Sequence, residues 1–340
     1  MSAARRVNVS RIVSEPKIDS PLQVVYGPIE AELAEVESIL RTELRSEHPY
    51  VDELVRYGCL LGGKRLRPTL LLLAAKAVGD VTSDHLTLGA VVEMIHTATL
   101  VHDDVLDEAK TRRHLATVNS RWDNKASVLL GDYLFTHAFY LASTTDSTWA
   151  CREIGRATNI VCEGELRQKG CRGDFALSEQ EYIEIIAAKT AELTACSCRL
   201  GAYYGDGSEE TVAKMTEFGR DLGIAFQIID DVLDLQGDEA TTGKSLGTDL
   251  EQQKPTLPII HALRQSGEKE REEKLALLSN EAASRKELIP WMEHHGSIQY
   301  AFDVARRFAT RAAASLDCLE PGLGTDALRL VAHFVVQRSH

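Results

Sequence analysis

Long hydrophobic runs are scarce in this sequence of 340 residues. No window approaches the roughly 18 consecutive apolar residues of a membrane-spanning helix. Residues 1–21 contain three arginines but no apolar stretch of the kind found in a secretory signal. We therefore expect no stable membrane insertion, a cytoplasmic location, and a poorly ordered extension over residues 1–24.

Positive charge and paired cysteines are also in short supply. The 38 lysines and arginines against 51 aspartates and glutamates give a net charge of −13, which argues against a nucleic-acid-binding surface or an anchor for anionic membranes. The seven cysteines are scattered, without metal-type pairing, as is typical of a reducing compartment. A lone CxC at Cys196 and Cys198 lies in an apolar stretch, which favours buried thiols over a metal site.

Alternating strand patterns are missing, and almost everything after residue 27 has helical periodicity. One apolar stripe, for example, runs from Ile29 to Leu44 at helical spacing. We predict an all-α protein with a single large helical bundle over residues 25–340, built around a central apolar cavity. Further long, proline-free stripes occupy residues 86–107, 121–144, 150–168, 179–204 and 209–236.

Two acidic clusters with the same sequence, DDVLD, occur at residues 103–107 and 230–234. On a helix, the three carboxylates of each cluster share one face and repel one another. Each cluster follows a strongly apolar run, where uncompensated carboxylates are unfavourable. Mg²⁺ prefers carboxylate oxygens and completes its shell with substrate phosphates. A solvated acidic face would explain one cluster, but the repetition favours metal binding by both.

A basic turn, GGKRLRP at residues 62–68, precedes an apolar helix. Its two glycines allow the backbone to approach a ligand closely, and Pro68 suits the first turn of a helix. Lys64, Arg65 and Arg67 then lie near a helix N-terminus, where phosphate binds readily. Alone, such a turn is usually just solvated. Beside two acidic clusters it is the expected counterpart that holds a second diphosphate.

Other polar residues lie close to these motifs in sequence. Lys189 and Thr190 interrupt an otherwise apolar helix, where an unpaired lysine is unfavourable. Gln227 shares a helix face with the second cluster, and His96 lies two turns before the first, although a lone histidine on an apolar face is more often a core residue. The sequence contains no obvious general base. The remaining candidates are cations that follow the clusters, namely Arg112, Arg113, Lys244 and Lys254.

Together these motifs resemble the trans-isoprenyl diphosphate synthases, the polyprenyl synthetase family, and within it the octaprenyl-like long-chain branch. The similarity covers roughly residues 25–340, and the motifs occur in the family's order. Besides the basic turn and the second cluster, they are EMIHTATLVHDDVLDE at 93–108, RR at 112–113, ASVLLGDYLFTHAF at 126–139, EGEL at 163–166, KTAEL at 189–193, GKSLGTDL at 243–250 and KPTLP at 254–258.

The resemblance implies a prenyltransferase that adds isopentenyl diphosphate head-to-tail (1'-4, trans) to an allylic diphosphate. The mechanism it implies is ionisation of the allylic substrate, attack by the isopentenyl double bond, and loss of a proton to diphosphate. The resemblance implies several Mg²⁺ ions that bind the allylic diphosphate. Their ligands would be Asp103, Asp104, Asp107, Asp230 and Asp234. Contacts with that diphosphate are assigned to Arg112, Lys189, Gln227 and Lys244, and Asp231 is a further catalytic residue. Binding of the diphosphate of isopentenyl diphosphate is assigned to Lys64, Arg67, His96 and Arg113. Thr190 and Lys254 are further substrate-binding residues.

Three positions depart from the family pattern by losing a glycine. These are His114 in the family's RRG, Asp123 in its WGN and Gln253 in its GKPT. The substitutions put loop geometry and turnover in question but remove no expected ligand.

Product length is predicted from residues that precede the first acidic cluster. Ala98 and Thr99 lie about one helical turn, or about 5.4 Å, before Asp103. Small residues there leave a cavity open that large aromatic residues would close, so we expect a medium-to-long, octaprenyl-like product. The cavity floor would lie deeper, with Phe135, Phe139 and Tyr140 as candidates.

Four other functions compete with this hypothesis. A class I terpene cyclase shares the first acidic cluster but usually carries an Asn-Ser-Glu type second motif and needs no isopentenyl site. A non-catalytic partner subunit usually loses Asp or Arg ligands that this chain keeps. A short-chain synthase that makes farnesyl or geranylgeranyl diphosphate shares the motifs and differs in cavity length. A helical structural protein would leave the charge placement unexplained.

The family usually forms homodimers, and the apolar run at residues 126–142 suits that interface.

Overall fold

The computed structural model describes most of the chain, and within the described ranges the fold is almost entirely helical. This confirms the all-α prediction. One two-residue hairpin interrupts the helices, where β1 (Thr111–Arg112) pairs antiparallel with β2 (Leu115–Ala116). The predicted extension over residues 1–24 lies outside these ranges and stays a prediction. The described residues are 25–60, 63–113, 115–145, 147–236, 247–279 and 285–337, without the side chains of Leu60 and Arg285.

The described helices succeed one another along the chain. A 3₁₀ turn (Gly27–Ile29) precedes α1, and a π-helical segment (Ala187–Ala191) joins α8 to α9 without a break. In chain order the α-helices are α1 (Glu30–Glu43), α2 (Pro49–Leu60), α3 (Leu66–Val78), α4 (Ser83–Leu106), α5 (Val118–Arg121), α6 (Asn124–Ala142), α7 (Thr148–Gly170), α8 (Glu179–Ile186), α9 (Glu192–Tyr204), α10 (Glu209–Gln236), α11 (Thr248–Glu251), α12 (Leu257–Gln265), α13 (Glu268–Leu278), α14 (Arg285–His294), α15 (Ser297–Ser315) and α16 (Leu323–Gln337).

Helix α3 lies inside the bundle because its sequence is apolar on every side. Residues 70–75 are all fully buried, as expected for a helix that other helices surround. It packs against α4, α9 and α16 and belongs to one large apolar core. A second core lies between α8, α12, α14 and α15. Helix α10 contributes buried residues to both cores and therefore joins the two halves of the molecule.

A glycine allows the helix that carries the first acidic cluster to pack very closely against α6. An added Cβ at Gly131 would lie only 2.1 Å from Nε2 of His102 on α4. The same ring nitrogen lies 3.1 Å from the carbonyl oxygen of Val128. This close contact fixes the C-terminal end of α4, where residues 103–107 begin their cluster.

The CxC thiols lie in the core, as predicted. Cys196 and Cys198 are on α9 and are fully buried. Burial raises the pKa of both thiols, so they stay protonated at neutral pH. None of the described helices combines the length and the hydropathy that a membrane span requires.

Candidate active site

Cationic side chains gather where the start of α3, the middle of α4 and the β1–β2 hairpin meet. Burial lowers the pKa of His96 well below its usual range, and the nearby charges of Arg67 and Arg113 lower it further. The ring is therefore neutral at pH 7. Burial also lowers the pKa of Arg67 to about 10, although Glu93 and Asp230 act in the opposite direction. Crowded cations of this kind favour binding of an anion. We call the following set the basic cluster: Lys64, Arg65, Arg67, His96, Arg112 and Arg113.

The backbone of the basic turn shapes this cluster. Arg65 adopts a left-handed conformation (φ 49°) and is the N-cap residue of α3. Its guanidinium donates to Glu93 at 2.8 Å and to Glu37. Gly63 leaves room for the hairpin, because an added Cβ there would lie 3.0 Å from Nη1 of Arg113. In the described part of the chain, Nε of Arg67 is buried without a hydrogen-bond partner, which leaves it for a ligand.

The first acidic cluster is neutralised by arginines. Asp104 is buried, and its Oδ1 accepts from Nε of Arg112 at 2.8 Å and lies 2.7 Å from Nη2 of the same residue. Asp107 lies just after the end of α4 and accepts from Nη2 of Arg172 at 3.3 Å. Burial raises the pKa of Asp103 to about 6, although the nearby Lys189 opposes the shift.

The second acidic cluster lies inside α10 and is stabilised mainly by neutral donors. Asp231 is buried, and it accepts from the hydroxyl of Tyr182 and from the amide of Gln227. Asp234 accepts from Oγ1 of Thr248 at 3.2 Å and from the backbone N–H of Asp249 at 3.1 Å. Burial, reinforced by Asp249, raises the pKa of Asp231 to about 8 and that of Asp234 to about 6.

Lys189 and Thr190 lie in the π-helical segment, which the sequence did not reveal. Segments of this kind often occur at functional sites. Helix α7 approaches this segment at Gly164, where an added Cβ would lie 2.5 Å from the backbone nitrogen of Lys189. Nζ of Lys189 then pairs with Glu165 at 2.5 Å and donates to Gln168 at 2.8 Å. Glycine in the EGEL motif is therefore required for the placement of this lysine.

Electrostatic influence between their residues indicates that the two acidic clusters and the basic cluster lie near one another, and we call the region between them the cleft. Lys189 is close enough to Asp103 to influence its pKa, and Asp230 has the same effect on Arg67. Burial opposes the charge of Lys254, but Asp249 and Asp107 raise the pKa of its ammonium group. One part of the cleft is lined by Gln168, Tyr182, Lys189, Gln227, Asp231, Asp249, Lys254 and Thr256.

Several of these residues were missed by the sequence reasoning. Arg172 lies in the turn after α7 and bridges Asp107 and Oε1 of Gln252, the latter at 3.2 Å. Asp249 pairs with Lys254 at 3.2 Å. The nearest sequence signals were the glycine after Arg172 and the position of Asp249 within GKSLGTDL, and neither specifies a partner. Glu93 and Tyr182 lie within helical stretches and carried no separate signal.

The glycine departures have different structural consequences. Gln253 adopts the left-handed conformation (φ 52°) in which a glycine is favoured. Asp123 instead N-caps α6, and its Oδ1 accepts from the backbone N–H of Ala126 at 2.7 Å. The third departure, His114, lies outside the described residues, as do Gly62 and the predicted diphosphate contact Lys244.

The residues predicted to set product length lie on α4. Ala98 is fully buried, and Thr99 is half-buried with its hydroxyl donating to the carbonyl of His96 at 2.8 Å. Phe135 and Phe139 are partly buried against the large core. Tyr140 is 63% exposed, so its selection as a floor candidate was wrong for the single chain: it lies on the outer side of α6.

The carboxylates of the cleft have the chemistry of a divalent-metal site. Their oxygens are ligands that hard divalent cations prefer. The raised pKa values of Asp103 and Asp234 mark buried carboxylates that a cation would stabilise in the charged form. Among the described residues, no three such side chains are already grouped closely enough to enclose a metal by themselves. The donor set therefore fits ions that take further ligands from substrate phosphate.

Comparison with known proteins gives consistent matches. The family model described as polyprenyl synthetase matches residues 48–293. The chain is 36% identical to octaprenyl diphosphate synthase from Escherichia coli, over 90% of this chain and 96% of that protein. It is also 36% identical to a short chain isoprenyl diphosphate synthase from Methanothermobacter thermautotrophicus, over 82% of this chain and 87% of that protein.

A solved structure extends the match to the fold. The polyprenyl synthase from Caulobacter crescentus, complexed with calcium and isoprenyl diphosphate, superimposes with a TM-score of 0.89. The two sequences are 33% identical, and the match covers 96% of this chain and all of that one. With the motifs, the fold and the family model in agreement, this chain belongs to the polyprenyl synthetase family.

Proposed function

We propose that this chain is a Mg²⁺-dependent trans-polyprenyl diphosphate synthase, which condenses isopentenyl diphosphate onto an allylic diphosphate. The observation that carries the proposal is the pairing of two anion sites in one cleft. One is the basic cluster, where Arg67 has a buried Nε without a hydrogen-bond partner in the described chain. The other lies between buried carboxylates, near Lys189, where metal ions would bridge carboxylate and diphosphate.

The allylic diphosphate belongs beside the two acidic clusters. When bound, Mg²⁺ on Asp103, Asp104, Asp107, Asp230 and Asp234 would neutralise charge on the departing diphosphate. Lys189 and Gln227 line the cleft there and supply donors where that charge develops. Arg112 and Lys254, each already paired with a carboxylate, add positive charge at the same place.

Isopentenyl diphosphate belongs in the basic cluster, with Lys64, Arg67, Arg113 and neutral His96 around its phosphates. Its double bond then attacks the allylic carbon, and the proton lost afterwards goes to the released diphosphate. The buried apolar residues of α4 exclude water from the reacting carbons, which protects the carbocation. The effect of the Asp230 charge on the pKa of Arg67 supports placement of the two substrates near one another.

The reaction is tested directly with purified protein. Farnesyl diphosphate, labelled isopentenyl diphosphate and Mg²⁺ are incubated together, and the dephosphorylated products are sized by chromatography, with EDTA as the control. We expect metal-dependent incorporation. A folded protein that incorporates no label with any allylic primer would instead be a non-catalytic partner subunit.

We further propose a product longer than geranylgeranyl diphosphate. The support is the small, buried side chain of Ala98 one turn before Asp103. The similar proteins include an octaprenyl and a short-chain synthase, so length must be measured. Ala98→Phe should shorten the product because an aromatic ring would fill the wall of the cavity. An unchanged product distribution in this variant would contradict the steric argument, and geranylgeranyl as the only wild-type product would contradict the length itself.

We also propose a cytoplasmic homodimer that forms through α6. This helix exposes the large hydrophobic side chains of Val128, Leu129 (66% exposed) and Tyr140 in the single chain, and exposed apolar surface of this kind suits an interface. Light scattering after size exclusion should give about twice the mass of one chain, 37.5 kDa. Leu129→Lys should reduce that mass to one chain if α6 is the interface.

A further inference from the structure

A largely buried chain of hydrogen bonds connects three elements in the wall of the cleft. The hydroxyl of Tyr182 on α8 donates to Oδ2 of Asp231 on α10 at 2.7 Å. Oδ1 of Asp231 accepts from Nε2 of Gln227 at 2.7 Å. Oε1 of Gln227 accepts from Oγ1 of Thr190 in the π-helical segment, also at 2.7 Å. All three are short bonds with ordinary geometry.

The direction of this chain determines which atoms Gln227 presents to the cleft. Oδ1 of Asp231 accepts from the amide nitrogen of Gln227, and the Thr190 hydroxyl donates to the amide oxygen, so the nitrogen faces Asp231 and the oxygen faces Thr190. One N–H of Gln227 is used by Asp231, and the second remains for a ligand. Diphosphate oxygens are acceptors as well, so a ligand of that kind needs N–H and not C=O from this side chain.

Tyr182 holds the far end of the chain in place. Its side chain is 4% exposed, and Asp231 is 6% exposed, so water cannot readily replace either partner. Asp231 also lies near a second carboxylate, Asp249, whose charge raises the pKa of Asp231. The Tyr182 hydroxyl donates to Oδ2 of Asp231 and holds in place the side chain whose Oδ1 orients Gln227.

We propose that Tyr182 is a positioning residue for the allylic diphosphate: through Asp231 it fixes the Gln227 amide with an N–H toward the cleft. Asp231 has the same positioning role and is not a metal ligand. This inference rests on the proposed function, because it assumes that Gln227 meets the allylic diphosphate. It goes beyond that function by assigning specific geometry to a residue outside the two acidic motifs.

The test is Tyr182→Phe, which removes one hydroxyl and leaves the ring. The matched control is Tyr300→Phe, because the Tyr300 hydroxyl also donates to a carboxylate on α8, that of Glu179, but takes no part in the chain through Asp231 and Gln227. We expect kcat/KM for the allylic substrate to fall about tenfold in Tyr182→Phe, with KM for isopentenyl diphosphate unchanged. Calorimetry should find similarly weaker binding of an unreactive thiolo analogue of farnesyl diphosphate with Mg²⁺. Tyr300→Phe should match the wild type in both measurements.

The contrary results are equally definite. An unchanged kcat/KM for the allylic substrate in a folded Tyr182→Phe variant would overturn the proposal. Equal losses for both substrates, with a lower melting temperature, would reduce Tyr182 to a structural role and would also overturn it. If the variant does not fold, Asp231→Asn carries the test, because its amide disturbs the same orientation and should give the same selective loss.

A double variant and the wild type complete the design. Adding Tyr182→Phe to Asp231→Asn should cause little further loss if the two residues act through one chain, whereas additive losses would contradict it. Failure of the proposed function would appear separately, as wild-type protein that turns over no allylic primer. Analogue binding would then still report whether Tyr182 positions Gln227.

Discussion

The two DDVLD segments have identical sequences but different environments. The first lies at the end of α4, where arginines pair with Asp104 and Asp107. The second lies inside α10, where Tyr182, Gln227 and Thr248 stabilise the carboxylates as neutral donors. The same five residues therefore have different partners, arginines in ion pairs in one copy and mainly neutral hydrogen-bond donors in the other. The structural environment of a motif, and not its sequence alone, determines what each carboxylate can do.

The largest difference between the copies should appear when a charge partner is removed. Arg112→Gln removes the guanidinium that pairs with the buried Asp104 carboxylate, so we expect the free energy of unfolding to fall by about 3 kcal/mol and the rate about 100-fold. Denaturant unfolding and steady-state kinetics measure the two effects. Adding Asp104→Asn should restore much of the stability and little of the rate. A single variant as stable as the wild type would show that the first copy does not depend on its cation.

The pH dependence of stability should separate the copies next. Burial, reinforced by Asp249, raises the pKa of Asp231 to about 8, against about 3.9 in an unfolded chain. Between these values the folded protein binds a proton that the unfolded chain does not. The free energy of unfolding therefore falls as pH rises from about 4 to 8 and levels off above, and this group contributes up to about 1.4 kcal/mol per pH unit.

Denaturant unfolding of the metal-free protein at several pH values between 5 and 8 measures this slope. Asp231→Asn cannot titrate and should flatten the curve. Asp104→Asn, the equivalent change in the first copy, should keep the wild-type slope because Asp231 is still present. Parallel curves for wild type and Asp231→Asn would mean that the second copy is not stabilised by proton uptake.

The contrast also shows what the sequence can and cannot predict. The helices, the two clusters and their shared faces follow from local spacing, because residues three and four apart must meet on a helix. The partners do not follow, since Tyr182 and Asp231 or Arg172 and Asp107 are far apart in sequence and are brought together by packing. The π-helical segment at Lys189 is likewise set by the approach of α7 at Gly164. No periodicity in a single sequence distinguishes it from an ordinary helix.

A smaller effect on metal dependence is expected at Arg172, which forms an ion pair with Asp107 in the first copy. Arg172→Gln removes a cation that competes with a divalent ion for this carboxylate. We therefore expect the Mg²⁺ concentration for half-maximal rate to fall about threefold, in line with the modest strength of a partly exposed ion pair. Arg167→Gln is the matched control, because Arg167 pairs with Glu184 on the surface. A higher Mg²⁺ requirement in Arg172→Gln would mean that the arginine helps to bind the substrate and does not compete with metal.

The smallest effects concern two of the three lost glycines, Asp123, which follows the first copy in sequence, and Gln253, which follows the second. Gln253 is left-handed, which disfavours a side chain by about 1 kcal/mol, and its amide recovers part of that by donating to the carbonyl of Ser279 at 3.1 Å. Gln253→Gly should thus raise the free energy of unfolding by about 0.5 kcal/mol. Asp123→Ala removes a helix cap and should lower it by about 1 kcal/mol.

If the free energy of unfolding rises in Gln253→Gly and falls in Asp123→Ala, the two departures are not equivalent. The departure after the first copy replaced a glycine by a better helix cap, whereas the departure after the second placed a side chain where the backbone disfavours one. Gln252→Gly is the neighbouring control, since its φ of −87° is ordinary and a glycine there should only destabilise. A loss of stability in Gln253→Gly as large as in that control would show that the Ser279 contact outweighs the strain. In that case, side-chain contacts would contribute more to the stability of the loop that carries Lys254 than the strained backbone at Gln253 takes away.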